Sequence, residues 1–470
     1  MLKAFPFGPW APDLGPNGSD RLVSAVNVYP MANGYGPIQA FQPITPALTE
    51  SFGGGAAFVG SDGTAALLAG TANKLLRYSG GAWSILLTAL SVDRWRFSQF
   101  GDLVVAVNGG EAQKFSLATG SASALAGSPP VASYVATVRD FVVLAGDPAD
   151  RLTVTWSGFN NAEQYTAGTN QSDSQTLPEG GEIMGLVGGE YGLIFQRSSV
   201  KRMSYTAGPT VFQFDEIARD VGAMAAGGIG TWGRLVFFLS ERGFMLCDGN
   251  EVRPIGVERV DRAFFATYSR EDLKRLYCAV DPRRNIVMWA VPGSPGMVWC
   301  YNWAIDRWTM ARLPVAGLFT GFTANVSIDA LDATYGNLDA IPVSLDDQAF
   351  AGGNPLLLVV SPDNRVGALG GENLEATFGL PFTELAPGRR SRVRRVQPIG
   401  DMIRATITLD GRQRLGDDER QVRTAEMRPS GHMPIRLNAR YVGAEVVIPA
   451  GERWTYAQAV EMEFEPGARR

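Results

Sequence analysis

The chain has 470 residues, of which 45% are hydrophobic and 19% are charged, so it is long enough to bury a large core and to form more than one domain. The formal net charge of −5 at pH 7 argues against a dedicated nucleic-acid-binding protein, because phosphate contacts require a basic surface. This net charge is compatible with a channel through which DNA passes without binding tightly.

The abundant turn residues and the scarce cysteines narrow the class further. The 55 glycines and 28 prolines follow no collagen-like or low-complexity pattern, which is typical of many short strands joined by turns. Cys247, Cys278 and Cys300 lie far apart in or beside apolar runs, which predicts buried free thiols. No apolar run approaches the roughly 18 residues needed to span a membrane, and Met1–Trp10 has no apolar signal-peptide core. We expect no membrane insertion, and synthesis in the cytoplasm.

Residues 1–50 are predicted to form an extended arm. Prolines interrupt this segment repeatedly, and it contains little apolar sequence of its own beyond Ala25–Pro30. Such an arm must pack against something else. Two alternatives are open, namely packing on its own body or on a neighbouring subunit.

From residue 51 onwards the same hairpin pattern recurs. An apolar run is followed by a turn and then by a second, more alternating run that ends near an aromatic residue. In one repeat the turn is Asn108-Gly109-Gly110, and Asn-Gly favours a two-residue type I′ turn. The paired runs are Ala66–Gly70 with Lys74–Tyr78, Leu103–Val107 with the run ending at Phe115, Phe141–Gly146 with Leu152–Trp156, Tyr191–Phe195 with Val200–Tyr205, Leu235–Leu239 with Gly243–Cys247, Asn285–Ala290 with Met297–Tyr301, and a weaker pair, Leu356–Val360 with Arg365–Leu369.

This recurrence predicts the fold class. The first six hairpins are spaced 37 to 52 residues apart, close to the roughly 40–50 residues of a four-stranded propeller blade. The consecutive apolar residues of each first run suit a strand buried on both faces between stacked blades. We predict a mainly β protein with a β-propeller of six or seven blades; a sandwich of unrelated hairpins is the alternative, because the spacing is uneven. The best helix candidates are Val260–Phe265 and Ser269–Tyr277, the latter with Ser269 as N-cap.

The domain boundaries follow from these patterns. We expect the propeller over residues 51–312, and a linker or insertion with a possible closing blade over residues 313–370, because 313–350 show little strand pattern. Residues 371–470 are rich in arginine and contain short apolar runs, which predicts a smaller C-terminal β domain.

No constellation of catalytic residues is evident. The single histidine, His432, lies in a Gly/Pro turn, which excludes His-rich zinc sites and leaves any Ser-His or Cys-His dyad dependent on that residue. No serine or cysteine lies in a nucleophile-elbow context. We therefore predict no enzyme activity, no catalytic or metal site and no cofactor. A propeller-fold glycan hydrolase, such as a tail-associated depolymerase, is the alternative, as is a non-viral propeller scaffold.

The strongest charged motif is Arg389, Arg390, Arg392, Arg394 and Arg395. In a strand, alternation would place Arg390, Arg392 and Arg394 on one face and begin the other face with Arg395. Such a row could bind carboxylates of a neighbouring subunit or face DNA phosphates. The alternative is a solvated edge strand that prevents strand-to-strand aggregation.

Several stretches resemble the tail hub or nozzle proteins of short-tailed bacteriophages (podoviruses), also called packaged-DNA stabilisation proteins. The likeness covers roughly residues 5–310, and it rests on the order of many weak motifs. These are Asn27–Pro30 with Gly34-Tyr35, Phe97–Asn108, Val138–Phe141, Thr155–Gly158, Gly188–Tyr205, Gly222-Ala223, Phe238–Gly243 and Asp281–Trp308, with weaker similarity at Ser430–Tyr441 and Trp454.

This resemblance implies a structural role in the virion tail. The implied protein is a homohexameric ring below the portal and the head-to-tail adaptor, which encloses the channel for double-stranded DNA and carries fibres, spikes or a needle. It also implies synthesis in the bacterial host cytoplasm. The arginine-rich C-terminal region departs from this pattern and leaves open whether it faces the lumen or a protein partner.

Overall fold

The N-terminal arm contributes five short strands to the fold. The computed structural model describes residues 1–15, 17, 20–88, 94–208, 210–293, 296–322, 355–416 and 418–467. The arm strands are β1 (Leu2–Pro6), β2 (Ser24–Val26), β3 (Val28–Met31), β4 (Gly34–Pro37) and β5 (Gln39–Pro43).

Five four-stranded antiparallel sheets follow, each formed by consecutive strands. Their strands are β6 (Phe52–Val59), β7 (Ala65–Thr71), β8 (Lys74–Ser79) and β9 (Ala82–Thr88); β10 (Arg96–Phe100), β11 (Leu103–Val107), β12 (Gln113–Ser116) and β13 (Ala122–Ala124); β14 (Tyr134–Val138), β15 (Phe141–Ala145), β16 (Thr153–Trp156) and β17 (Asp173–Thr176); β18 (Ile183–Val187), β19 (Gly192–Gln196), β20 (Ser199–Tyr205) and β21 (Phe212–Arg219); and β22 (Gly230–Trp232), β23 (Leu235–Ser240), β24 (Gly243–Cys247) and β25 (Val252–Pro254). A 3₁₀ turn, Ala226–Gly228, precedes β22.

Two short helices lead into the rest of the chain, α1 (Asp261–Thr267) and α2 (Arg270–Leu273). The remaining strands are β26 (Tyr277–Asp281), β27 (Ile286–Ala290), β28 (Met297–Asn302), β29 (Arg307–Arg312), β30 (Gly317–Phe322), β31 (Pro355–Val360), β32 (Val366–Asn373), β33 (Ala376–Glu384), β34 (Ser391–Gly400), β35 (Thr406–Arg412), β36 (Gln421–Glu426), β37 (Met433–Ala439), β38 (Tyr441–Ile448) and β39 (Ala457–Pro466).

The described strands from β5 to β32 form a seven-bladed β-propeller, as the hairpin recurrence predicts. Strands β26–β29 make blade 6, and β30, β31, β32 and β5 make blade 7. The innermost strand of blade 7, β30, packs against β6 of blade 1 and closes the circle. Each predicted hairpin is the middle pair of strands in its blade.

The middle strands are apolar at successive positions because neighbouring blades cover both of their faces. All five residues of β15, of β19 and of β27 are buried. Between blades 4 and 5, the rings of Phe195 and Phe238 lie 5.0 Å apart. Apolar packing of this kind holds neighbouring blades against one another.

The arm is threaded through the molecule, so the first of the two alternatives for its packing holds. Strand β2 joins β29 of blade 6 to β33, which makes one nine-stranded sheet, while β1 and β4 both pair with β39. After β2, Asn27 adopts a left-handed conformation (φ 59°). Its side chain donates to the Glu375 carbonyl at 2.7 Å and accepts from the Arg312 amide at 2.7 Å. Asp13 of the arm accepts hydrogen bonds from two amides at the start of α1.

The C-terminal strands form two facing layers that share one hydrophobic core with the arm and with blades 5 and 6. One layer contains β33, β38, β35 and β36, and the other contains β39, β34 and β37. Phe378 of β33 stacks on Phe7 of the arm with ring centroids 4.4 Å apart, and the same buried cluster includes Trp289 and Trp308 of blade 6.

Two local predictions are wrong and two are confirmed. The loop between β11 and β12 spans residues 108–112, so it is too long for a two-residue turn. A type I′ turn would also require a positive φ at both Asn108 and Gly109, and of these two only Gly109 has one (81°). Residues 313–350 were predicted to have little strand pattern, yet Gly317–Phe322 is a strand; 323–350 lie outside the described residues. Both helices are present, and Ser269 is the N-cap of α2 in a capping box.

Candidate functional site

The seven innermost strands enclose a central cavity of about 340 Å³. Its wall is rich in glycine, including Gly53–Gly55, Gly185 and Gly230, because the strands converge at the axis and leave little room for side chains. Every blade contributes residues to the wall.

Arg94 crosses this cavity. It precedes β10 in blade 2, and its guanidinium donates to the Leu276 carbonyl at 2.5 Å on the opposite side, before blade 6. The same guanidinium lies 3.8 Å above the centre of the Tyr277 ring, a cation–π contact. Arg96 makes a similar contact with Tyr134 at 4.5 Å. The Arg94 side chain therefore obstructs the axis of the propeller.

The described residues do not assemble a recognisable set of catalytic groups. Burial raises the pKa of the Cys247, Cys278 and Cys300 thiols, which disfavours the nucleophilic thiolate near neutral pH. His432 lies in a turn closed by a hydrogen bond from the Arg428 amide to its carbonyl at 3.0 Å. Within the described ranges, no three His, Cys, Asp or Glu side chains are grouped to hold a metal ion.

The arginine motif falls on an interior strand. Arg392, Arg394 and Arg395 lie on β34 with exposed side chains, while Val393 and Val396 face the core. Because β34 pairs with β39 on one side and with β37 on the other, the predicted alternative of a solvated edge strand is wrong.

A β-bulge changes the predicted alternation of this motif. The pairing of β34 with β39 shifts between Val393 and Arg395, so Arg394 and Arg395 together oppose one residue of β39. Arg395 therefore lies on the same exposed face as Arg392 and does not begin the opposite face. Arg389 and Arg390 precede the strand in the loop, where Arg389 is half-buried and Arg390 is exposed.

Two of the arginines pair with glutamates of their own chain. The Arg394 guanidinium lies 2.6 Å from the Glu465 carboxylate, and the Arg395 guanidinium lies 2.6 Å from Glu463. Arg392 is exposed and forms no ion pair with a carboxylate within the described residues. The exposed Arg436 of β37 lies on the neighbouring strand and extends the basic face.

Three residues of this surface, Glu463, Glu465 and Arg436, were not predicted from the sequence. The glutamates alternate with buried residues along β39, which predicts a half-buried strand. However, about 70 residues separate them from the arginines, and no local signal indicates which strands pair.

A buried carboxyl group lies where the arm meets α1. Asp261 is 8% exposed; its Oδ1 accepts from the Phe244 amide at 3.0 Å, and no hydrogen-bond partner for its Oδ2 is present in the described residues. Burial raises the pKa of Asp261 to about 6, opposed by the Phe244 amide and reinforced by Asp13.

The raised pKa of Asp261 makes stability depend on pH. The folded protein binds this proton more tightly than the unfolded chain, so the stabilising contribution is present below pH 4 and is lost as the pH rises through about 6. Relative to Asp261→Asn, the wild-type free energy of unfolding should fall by about 2 kcal/mol between pH 4.5 and pH 7.5. Urea unfolding at four pH values measures this difference. Asp418→Asn, at an exposed loop position, is the control, and parallel curves for wild type and Asp261→Asn would contradict the prediction.

The geometry defines a class of protein, a seven-bladed β-propeller that an N-terminal arm joins to a C-terminal pair of β layers. Among the described helices, none has the length and apolar composition to cross a bilayer. No protein-family model matches the chain, and no curated protein shows significant sequence similarity to it.

Solved structures match the chain at low sequence identity. The extracellular domain of a hybrid two-component system from B. thetaiotaomicron is 9% identical, with 77% of this chain and 43% of that chain covered and a TM-score of 0.44. The N-terminal domain of Nup159 is 9% identical, with coverages of 73% and 98% and a TM-score of 0.37. The WD40 domain of Neurospora crassa Pan2 is 9% identical, with coverages of 59% and 85% and a TM-score of 0.36. These neighbours are propeller folds, and this chain spans less than half of the first one.

Proposed function

We propose that the chain is a structural protein of the virion tail of a short-tailed bacteriophage, the tail hub or nozzle. Six copies form a ring that continues the portal–adaptor channel, retains packaged double-stranded DNA and conducts it at ejection. The ring binds the head-to-tail adaptor and carries fibres, spikes or a needle. The protein is made in the bacterial host cytoplasm, does not insert into a membrane and performs no catalysis.

The observation that carries this proposal is the threading of the arm through the body. Strands β1, β2, β4 and β5 each pair with a strand more than 280 residues away in sequence. Separating the propeller from the C-terminal layers therefore requires breaking sheet hydrogen bonds, in addition to side-chain contacts. Such a subunit suits a ring that must keep its shape against the pressure of packaged DNA. The ordered sequence resemblance over residues 5–310 supplies the specific family.

The obstruction of the propeller axis fits this role. Since Arg94 crosses the central cavity from blade 2 to the start of blade 6, DNA would not pass along the axis of one subunit. In the proposed ring, DNA moves through the lumen that the subunits enclose together. The net negative charge of the chain suits passage without tight binding.

The ring is tested with the purified full-length chain, alone and mixed with purified adaptor rings. Native mass spectrometry and light scattering should detect a cyclic oligomer of six copies in at least one of the two samples. A chain that stays monomeric in both would contradict the proposal. Release of reducing sugar from host polysaccharide by the purified chain would contradict the absence of catalysis.

Substitution of Arg392 tests whether the exposed arginine face of β34 forms the contact between subunits. Because Arg394 and Arg395 are held by glutamates of the same chain, Arg392 is the better group to bind a neighbour's carboxylate. Arg392→Glu should lower ring affinity at least about tenfold, since reversing one charge at a close pair costs more than about 1.4 kcal/mol. The exposed Arg423 of β36 lies in the other layer, so Arg423→Glu should leave ring affinity unchanged.

Both the single variant and the pair Arg392→Glu with Arg394→Glu are measured by dilution of the ring in native mass spectrometry. Unchanged ring size and affinity in both would contradict the contact at this face while leaving the ring itself intact. The wild-type measurement tests whether the ring forms, and the variants test whether the arginine face is the contact between its subunits.

A further inference from the structure

A second cavity, of about 450 Å³, lies where the arm crosses blade 6. It lies away from the central cavity and the arginine strand. Three segments line it: arm residues that include Trp10 and Arg21, the stretch Val257–Arg259 between β25 and α1, and the turn Ile305–Trp308 that leads into β29. The cavity exists only because the arm is in place.

The walls of this cavity are fixed by hydrogen bonds. The Trp10 indole donates to the Val23 carbonyl at 3.1 Å, and the Trp308 indole donates to the Ile255 carbonyl at 2.9 Å. The Asp13 amide donates to the Arg259 carbonyl at 3.0 Å, which ties the arm to the opposite wall. A ligand would therefore meet a largely preformed site.

One pair of opposite charges in the wall is already satisfied. The Arg259 guanidinium binds both Asp306 carboxylate oxygens, with Nη2 2.7 Å from Oδ2, and the Tyr301 hydroxyl donates to Asp306 at 2.8 Å. Arg259 holds the pKa of Asp306 below its usual range. This pair contributes no net charge to the cavity.

Two further arginines in the lining, Arg21 and Arg307, give the described wall of the cavity a net positive charge. Arg21 and Arg307 are both half-buried, and neither forms an ion pair with a carboxylate in the described part of the chain. Arg307 is oriented by a hydrogen bond to the Met31 carbonyl at 3.2 Å. Among the described residues of the wall, the other acidic side chain is that of Glu258, which is exposed. Partly desolvated guanidiniums gain most from an oxyanion that accepts their hydrogen bonds.

We propose that this cavity binds an oxyanion, a carboxylate or a phosphate, between Arg21 of the arm and Arg307 of blade 6. The bound anion would link the arm to the propeller and favour the threaded state over one in which the arm is released. This site goes beyond the proposed tail function and does not depend on it. The oxyanion could belong to a free solute or to an acidic side chain of a partner, and the probes below distinguish these sources.

The experiment measures how the purified chain binds three probes at constant ionic strength set with sodium chloride. The probes are inorganic phosphate, citrate and N-acetylglutamate α-amide, whose side-chain carboxylate is free. Isothermal titration calorimetry should show saturable binding of at least one probe. Phosphate or citrate binding would favour a free solute, whereas binding of the glutamate derivative alone would favour a partner's side chain. Saturation by none of the three would overturn the proposal.

Arg21→Gln is the diagnostic variant, because the Arg21 side chain lines the cavity and makes no hydrogen bond to the rest of the described chain. It should raise the dissociation constant at least tenfold. Arg234→Gln changes an exposed arginine that does not line the cavity and should leave binding unchanged. Retention of wild-type affinity in Arg21→Gln would overturn the assignment of the site.

Hydrogen exchange gives a second measurement of the bridge between the arm and the blade. It uses no Arg307 variant, because replacing Arg307 would also remove its hydrogen bond to the Met31 carbonyl. The probe that binds should slow exchange of the amides in residues 10–15 and 20–23 in wild type and leave them unchanged in Arg21→Gln. Equal slowing in both proteins would contradict the bridging of arm and blade.

Discussion

Replacing Gly367 by alanine should release β5, the outermost strand of blade 7. Gly367 lies in β32 opposite Pro43 of β5. A Cβ atom at position 367 would overlap the Gln42 carbonyl oxygen and would lie 2.6 Å from the Phe41 ring. Since the obstacle is backbone of the paired strand, β5 must move away, and the expected loss is about 3 kcal/mol in the free energy of unfolding.

The control lies three residues further along the same strand. A Cβ atom at Gly370 would lie 3.4 Å from the flexible end of the Gln42 side chain, its nearest neighbour, so Gly370→Ala should change stability by less than about 1 kcal/mol. Urea unfolding measures both variants, and hydrogen exchange of Gln39–Pro43 shows whether β5 has detached. Equal stability of the two variants would contradict the contribution of the β5–β32 pairing to blade 7.

Phe378→Ala should loosen the arm from the C-terminal layers. Phe378 is fully buried and its ring lies 4.4 Å from Phe7, 5.6 Å from Tyr35 and 6.4 Å from Trp454. Removing this ring leaves a cavity among side chains of the arm and of the C-terminal segment that contains Trp454. The expected loss is about 3–5 kcal/mol, as for other buried phenylalanines.

Phe159→Ala is the matched control, because Phe159 is 41% exposed and should cost about 1 kcal/mol or less. Thermal and urea unfolding measure the losses, and hydrogen exchange at Leu2–Pro6 reports whether β1 leaves β39. A loss below 1 kcal/mol for Phe378→Ala would show that the arm is held elsewhere.

The two middle strands of each blade were predictable because the signal for them lies in neighbouring residues of the sequence. A doubly covered strand such as Phe141–Ala145 must be apolar at successive positions, and its partner follows within a few residues. Some of the innermost strands lack this signature. Strand β6 reads Phe-Gly-Gly-Gly-Ala-Ala-Phe-Val, since the crowded axis favours small residues over the β-branched residues that indicate a strand.

The remaining features depend on partners far away in the sequence. Nothing within Gln39–Pro43 indicates that it completes a blade with Val366–Asn373, because strand pairing is set by the whole fold. At the candidate site, the exposed arginines of β34 were predictable from their spacing. The bulge at Arg394 and the pairing with Glu463 and Glu465 were not, because both depend on the register of β39. The phage-tail family, the ring and its partners remain predictions that the proposed experiments test.

The pairing of the first strand with the last has a consequence for synthesis of the protein. Leu2–Pro6 pairs with residues 459–463, so more than 450 residues must be translated after β1 before it can find its partner strand. At about 5–20 residues per second, the arm leaves the ribosome roughly 20–90 s before its partner strand exists. Blade 7 likewise waits for Val366–Asn373 before β5 can complete it. Early blades can stack during translation, whereas closure of the circle and docking of the arm are late steps, so a truncated nascent chain should be far more sensitive to proteases than the finished one.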